Sequence, residues 1–332
     1  MRKILAVLTA AVLCVAVGCN SQGAANGEQK SAGEVKHYSM GTSTSGGSYY
    51  IWGGGWSKIM NENMDGMDIS VEVTGGPQTN IQLIEQGEAE LGFSTTWTAG
   101  DAWNGIADWT EGKNYQEMRA VFPMYSSCLY IVALKDSGIT KMSDLNGKNI
   151  GVGSPGATSD LAGRAVIEAL GLKPKQVTSL TADTQKNSLK DGTVDVIFVV
   201  NGVPSSTVMD LETTHDLIYL EFSEEEMKKI QEQYPFWSVD TIEPGTYKNQ
   251  DKELEMISFW NICIVDKDVP ADVVYEMTKL TYDKHADLVA VDKSAETCVA
   301  ENIKYAVIPL HEGAYRYYQE IGVEVPEAAK PQ

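Results

Sequence analysis

This chain has little positive charge. Lys and Arg number 26 against 46 Asp and Glu, and the net charge of −20 removes the basic surface that nucleic acid or anionic lipid would need. Cysteine is scarce, with five in 332 residues, too few for a dense disulfide framework. Beyond the first twenty residues no apolar run is long enough to span a bilayer. Histidine is scarcer still. His37, His215, His285 and His311 are scattered, so no zinc-ligand spacing appears and no metal or other cofactor is expected. The absence of a Gly-x-Ser-x-Gly elbow argues against an α/β-hydrolase. What is present is 43% apolar and 22% charged residues, enough for a packed core. The length fits two domains or one large one.

Arg2 and Lys3 precede an apolar run from Ile4 to Val17, a charged n-region and an h-region too short for a comfortable transmembrane helix. Ala16-Val17-Gly18 sits directly against Cys19 and looks like a bacterial lipoprotein cleavage box, with Ala where Leu is usual. Residues 1–18 are therefore read as a lipoprotein signal peptide and Cys19 as the lipidated first residue. The plainer alternative is a secretory signal with an incidental Cys. Removal of two basic residues takes the charge from −20 to −22. Residues 19–36 are rich in Gly, Ala, Ser, Gln and Glu and read as a flexible tether spanning roughly 20–25 Å. Cys128, Cys263 and Cys298 remain, an odd number that cannot all pair within one chain. Cys128 and Cys263 lie in apolar runs, where a buried free thiol is expected.

In the body, short apolar runs alternate with longer amphipathic ones. Strands are predicted at 37–40, 69–74, 91–94, 119–124, 129–134, 149–153, 194–200 and 257–265. Helices are predicted at 49–63, 79–86, 159–170, 185–190, 205–211, 224–233, 271–284 and 312–321. Such alternation argues for an α/β architecture with mainly parallel sheets.

Several predicted strands end in small or polar residues that lead into a helix. Met40 leads into Gly41-Thr42-Ser43-Thr44-Ser45-Gly46-Gly47-Ser48, Thr74 into Gly75-Gly76-Pro77, and Phe93 into Ser94-Thr95-Thr96-Trp97. Gly153 leads into Ser154-Pro155-Gly156-Ala157-Thr158-Ser159, and Val200 into Asn201-Gly202-Val203-Pro204. In an open α/β sheet such junctions face the ligand crevice. Glycines let backbone N–H groups approach a ligand, and helix N-termini favour anions. No nucleophile and base are paired among them, so the vocabulary is one of binding.

These residues resemble a known family. Gly41-Thr42 with Ser45-Gly46-Gly47-Ser48-Tyr49-Tyr50 is similar to the N-terminal motif of the TAXI family, solute receptors of tripartite ATP-independent periplasmic (TRAP) transporters. Further matches come in the right order: Thr74-Gly75-Gly76, Gly87-Glu88-Ala89-Glu90-Leu91, Asp144-Leu145-Asn146-Gly147-Lys148, Gly151-Val152-Gly153-Ser154-Pro155-Gly156 and Ile308-Pro309-Leu310-His311-Glu312-Gly313-Ala314. The resemblance implies a type II periplasmic-binding-protein fold, two α/β lobes joined by hinge strands. Lobe 1 would hold residues 37–128 and 262–332, and lobe 2 residues 129–261. It implies a non-enzymatic receptor, anchored outside the cytoplasm, that closes on a small carboxylate or amino-acid-like ligand and delivers it to TRAP membrane subunits. A sensor or an enzyme on the same fold is the alternative.

The expected ligand contacts are Thr44, Ser45, Ser48, Tyr49, Gly75, Ser94, Thr95 and Trp97 from lobe 1, with Ser154, Thr158, Ser159 and Asn201 from lobe 2. Neither Gly-rich loop carries Lys or Arg. Arg164 lies about two turns into its helix, so neutral donors are expected to hold an anionic group. Trp52 and Trp97 sit nearest the crevice loops and are candidates for packing on a flat portion of the ligand.

Two rival motifs are weaker. Gly151-Val152-Gly153-Ser154-Pro155-Gly156 fits a dinucleotide fingerprint, but Pro155 removes a donor and Asp183 comes late for a ribose contact. Asn61 to Glu72 nearly fits an EF-hand loop. Its first position is Asn, and Ile69, Val71 and Val73 alternate with polar residues where a helix would be needed, a strand pattern.

Overall fold

The computed structural model describes residues 35–234 and 237–331. The signal peptide, Cys19 and nearly all of the expected tether lie outside them, and the first strand opens at Lys36, the last tether residue. Among the described residues ten strands form one sheet: β1 (Lys36–Gly41), β2 (Met67–Glu72), β3 (Leu91–Thr95), β4 (Met118–Leu134), β5 (Asn149–Val152), β6 (Gln176–Ser179), β7 (Val196–Asn201), β8 (Leu217–Tyr219), β9 (Ser238–Ile242) and β10 (Leu254–Asp266). The order is β2-β1-β3-β10-β4-β7-β5-β6, with β8 on β4 and β9 on β10.

The parallel pairing expected from the alternation holds only in the wings, where β1 pairs with β2 and β3, and β5 with β6 and β7. The centre is antiparallel. β10 pairs with β3 and β4, and β4 pairs with β7. These two long strands therefore belong to both wings, and the β4–β10 register shifts between Trp260 and Ile264. Such irregularities bend a strand. The two predicted strands 119–124 and 129–134 are one. The polar Ser126-Ser127 between them stays extended because Ser126 donates to Asp240 at 2.5 Å and Ser127 accepts from Asn261 at 2.8 Å.

The helices that matter for the site are α1 (Ser48–Asn63), α2 (Pro77–Glu85), α3 (Thr96–Trp103), α4 (Thr158–Ala169), α5 (Ala182–Lys190) and α6 (Ser206–Glu212). Helices α7 (Glu224–Gln233), α8 (Ala271–Asp283), α9 (His285–Val291) and α10 (Glu312–Glu320) complete the set among the described residues. α3, α9 and the short strands β6, β8 and β9 escaped the periodicity reading. α3 carries a Gly and several Trp and Thr residues of modest helix propensity, and Thr95 starts it by accepting from the Thr98 N–H at 3.0 Å.

One core cluster joins Trp52, Trp56, Phe93 and Phe122 under α1. Beyond Ser127, β4 alternates. Leu129, Ile131 and Ala133 enter a second cluster with Phe198 and Phe259, while Cys128, Tyr130 and Val132 enter a third on the opposite face. Successive strand side chains point to opposite faces, so a sheet covered on both sides reads as an unbroken apolar run. Cys128, Cys263 and Cys298 are buried and free.

Among the described residues no helix is long and apolar enough to cross a membrane. In the near-EF-hand segment, the Asn61 amide both donates to and accepts from the Ile69 backbone, at 3.1 and 2.8 Å. It fastens the end of α1 to β2.

Candidate functional site

The strand ends of the two wings face each other across a cavity of about 90 Å³. Ser43, Thr44, Gly47, Ser48 and Tyr49 line it from the β1–α1 junction, and Gly75, Gly76 and Pro77 from the β2–α2 junction. Opposite stand Gly153, Ser154, Ala157, Thr158 and Ser159 before and within α4, Ala182 and Gln185 of α5, Val199 to Asn201 of β7 and Thr207 of α6. Tyr125 and Ser127 of β4 and Asn261 of β10 form the floor.

Two buried amides hold the junctions in place. Asn80 on α2 donates to the carbonyls of Thr42 and Phe93, both at 2.8 Å, and accepts from Thr74 at 2.7 Å. A Cβ on Gly41 would come within 2.5 Å of the Asn80 side chain, so glycine there makes room for the clamp. In the other wing Gln185 on α5 donates to the carbonyls of Gly151 and Phe198 at 3.2 and 2.9 Å. Each wing thus uses one amide, set into the second helix, to tie the ends of its first and third strands. An unmet donor at either place would be costly.

The floor is equally committed. Tyr49 donates to Asn261 Oδ1 at 2.5 Å, and Asn261 Nδ2 donates to the Tyr125 carbonyl and to Ser127 Oγ at 2.7 and 2.8 Å. Across the cavity Asn201 Nδ2 donates to Ser48 Oγ at 3.0 Å, while its Oδ1 accepts from Ser205 Oγ at 2.8 Å. The Asn201–Ser48 contact is a direct bond between the two wings.

Three helices point their N-termini at the cavity, and none has a side-chain cap. The N-cap residues are Gly47 for α1, Gly76 for α2 and Ala157 for α4. By contrast α3, α5, α6 and α7 are capped by Thr95, Thr181, Ser205 and Ser223. The first N–H groups of a helix lack partners within it. Among the described residues, the N–H groups of Ser48 and Tyr49, Gln78 and Thr79, and Thr158 and Ser159 meet no protein acceptor. Partial positive charge from three helix ends therefore gathers at one place.

Among the described residues, no charged side chain lines the cavity. Arg164 is turned away: it donates to Asp160 at 2.8 Å and Ser179 at 2.9 Å, and Asp160 Oδ2 accepts the Gly156 N–H at 3.2 Å. The titratable lining groups are tyrosines. Burial pushes the hydroxyls of Tyr49 and Tyr125 well above the ordinary tyrosine range, so both stay protonated at any physiological pH. The Tyr125 hydroxyl is buried and has no hydrogen-bond partner. Affinity for a fully ionised acid should accordingly stay constant from about pH 6 to 9. Calorimetry across that range checks this, and a tenfold drift would show that a group titrating near neutrality participates.

Of the residues expected from sequence, Thr44, Ser48, Tyr49, Gly75, Ser154, Thr158, Ser159 and Asn201 meet at this cavity. Four others lie elsewhere. Ser45 sits exposed on the turn before α1. Ser94 is buried within β3 and donates to the Thr95 carbonyl at 3.2 Å, and Thr95 is spent on capping α3. Trp97 turns from the cavity to stack on Phe259 at 5.7 Å, with Trp237 5.0 Å away. Trp52 is a core residue against Phe93 and Phe122. The third junction is thus occupied by α3 itself. Tyr125, Ser127, Gln185, Thr207 and Asn261 were not foreseen. Tyr125, Ser127 and Asn261 come from β4 and β10 and Gln185 from within α5, where no glycine-rich junction marks them, while Thr207 stands in the first turn of α6, just past the Asn201–Pro204 junction.

The model of the NMT1-like family matches residues 40–322. The chain belongs to the NMT1-like family. This NMT1-like chain shares its fold with the periplasmic binding protein BugD, at 13% identity and a TM-score of 0.55, over 87% of this chain and 99% of that one. It is similar to the same extent to MatC from Rhodopseudomonas palustris, solved with bound malate. There the identity is 11% and the TM-score 0.55, over 86% of this chain and 96% of that one. The fold is the type II periplasmic-binding-protein fold, two α/β lobes joined by hinge strands.

Proposed function

We propose that this protein is an extracytoplasmic receptor that captures a small organic anion between its lobes and delivers it to a TRAP-type permease. The observation that carries the reading is the set of uncapped helix N-termini, two from one wing and one from the other, around a cavity without a charged side chain among the described residues. Backbone donors at helix ends hold an anion without a formal cation. They suit a body whose net charge of −20 repels anions at long range, because the field at helix ends is local. The contacts assigned to the ligand are Thr44, Ser48, Tyr49, Gly75, Ser154, Thr158, Ser159 and Asn201. Hydroxyls, amides and glycines dominate the lining, and no histidine, cysteine or carboxylate stands among these residues to act as nucleophile or base, which favours capture over catalysis.

In this reading residues 37–128 and 262–332 move as one lobe and residues 129–261 as the other, with β4 and β10 as the hinge. The TRAP assignment rests on the TAXI-like motifs around residues 41–50 and 308–314. Lipidation at Cys19 would keep the receptor beside its permease. Cys19→Ala should then move the protein from the membrane fraction to the soluble one; undiminished membrane association would refute the anchor.

The test of the receptor reading is to release small molecules from freshly purified protein by denaturation and identify them by mass spectrometry. Scattering is then recorded with the identified solute. A small acid in near-stoichiometric amount, and a smaller radius of gyration when it is added back, are expected. Finding no bound solute, with no change in radius on adding malate, succinate or glutamate, would overturn it.

A further inference from the structure

Arg164 does not line the cavity, yet it bears on it through Asp160. Asp160 stands in the first turn of α4 and is only 6% exposed. Its Oδ2 accepts the Gly156 N–H at 3.2 Å and so holds the turn from Ser154 to Ala157, whose two ends line the cavity. That turn abuts the β2–α2 junction of the other wing. A Cβ on Gly76 would lie 3.3 Å from Ala157 Cα, and one on Gly156 would lie 3.3 Å from Gln78 Cβ. Asp160 thus places a buried carboxylate behind the α4 N-terminus, within one turn of the open N–H groups of Thr158 and Ser159.

An acid in the first turn is favoured by the helix dipole, but the field it takes up is the field an anionic solute needs. Left bare, the carboxylate would also repel that solute through an interior that screens charge poorly. Arg164 covers it. Its Nε donates to Asp160 Oδ1 at 2.8 Å, and the guanidinium also donates at 2.9 Å to Ser179 Oγ, which donates in turn to the same Oδ1 at 3.0 Å. Among the described residues no other cation pairs with Asp160. The Arg164 side chain is 50% exposed and that of Asp160 9%, so the compensating charge comes from the outer side and leaves the turn in place. We propose, on the reading of this cavity as an anion site, that Arg164 is a positioning residue for the solute. Acting through Asp160, it cancels the charge of the carboxylate that holds the cavity-lining turn and keeps the α4 end attractive to an anion it does not touch.

The test compares the parent protein with Arg164→Met, Asp160→Asn and the double variant. Met keeps an unbranched stem without the charge, and Asn can still accept the Gly156 N–H. Each protein is dialysed and titrated calorimetrically at about pH 8, where carboxylates are ionised, with malate, succinate or glutamate, whichever binds the parent most tightly. Arg164→Met should weaken binding at least about tenfold. Asp160→Asn should bind as tightly as the parent or more tightly, and the double variant should return to within about threefold of the parent. A purely structural ion pair predicts otherwise, because breaking it from either side loosens the turn and the second substitution restores nothing. Unchanged affinity in Arg164→Met, or a double variant as weak as Arg164→Met, overturns the inference and leaves anion capture standing. Should Arg164→Met fail to fold, Asp160→Asn decides, and binding about tenfold weaker than the parent overturns it. If none of these acids binds the parent at millimolar concentration, the reading of the cavity falls and the inference with it.

Discussion

Asn201→Asp should lower affinity for a carboxylate solute about a thousandfold. The side chain stands at the end of β7 with its Nδ2 on Ser48 and its Oδ1 on Ser205. An aspartate keeps the shape and still accepts from Ser205, so the local fold survives. Its second oxygen, however, cannot donate to Ser48 and carries charge into a cavity that has none among its described lining residues. Two like charges about 4 Å apart at an effective dielectric of about 20 repel by about 4 kcal/mol, close to three decades of affinity. The new carboxylate would also take up the helix N-terminal donors that the solute needs. Calorimetry with malate, or with whichever acid binds the parent protein, measures the loss. Affinity within about threefold of the parent, less than 1 kcal/mol, would mean that the solute does not sit beside Asn201.

The second large effect is expected at Gly75. A Cβ there would lie 2.9 Å from the Pro155 carbonyl of the opposite wing and 2.7 Å from Thr79 Oγ1 on its own helix. Thr79 can rotate away, whereas a backbone carbonyl cannot. Gly75→Val is thus a wedge between the wings and only a small perturbation within one of them. Unliganded stability should change little, affinity should fall at least about a hundredfold, roughly 2.8 kcal/mol, and scattering should record no contraction when malate is added. Gly76 is a poorer choice for this test, because its φ of +117° would strain any side chain and confuse folding with closure. Normal contraction in Gly75→Val would refute the picture of two wings meeting through their glycine junctions.

Much of the framework was legible because it is written in short-range patterns. The alternation of runs around 37–40, 69–74 and 91–94 with helix-like segments comes from which side chains face a core, and that periodicity is a property of neighbours in sequence. The glycine-rich junctions at 41–48, 75–77 and 153–156 announce themselves in the same way. Most of the cavity residues expected from them, Thr44 to Asn201, do meet there. Three of the exceptions share one cause. Ser94, Thr95 and Trp97 sit at a junction of the expected kind, but the helix that begins there turns its side chains into capping and into a cluster with Trp237 and Phe259.

What only the tertiary structure decided are the partnerships between distant positions. Tyr49 with Asn261 and Ser48 with Asn201 are separated by 212 and 153 residues. Nothing local distinguishes Asn261 from any polar residue in an apolar strand. The antiparallel centre of the sheet belongs to the same class. Strand direction depends on where the chain re-enters the sheet, and the pattern of a single strand carries no record of its neighbours. Which hydrogen-bonding groups of the cavity stay open was likewise hidden, because a hydroxyl or amide is both donor and acceptor until its partners are known. Sequence thus determined most of the elements and the loops that line the cavity. Folding decided which hydrogen-bonding groups those loops have left to offer, because each commitment is made across the fold rather than along the chain.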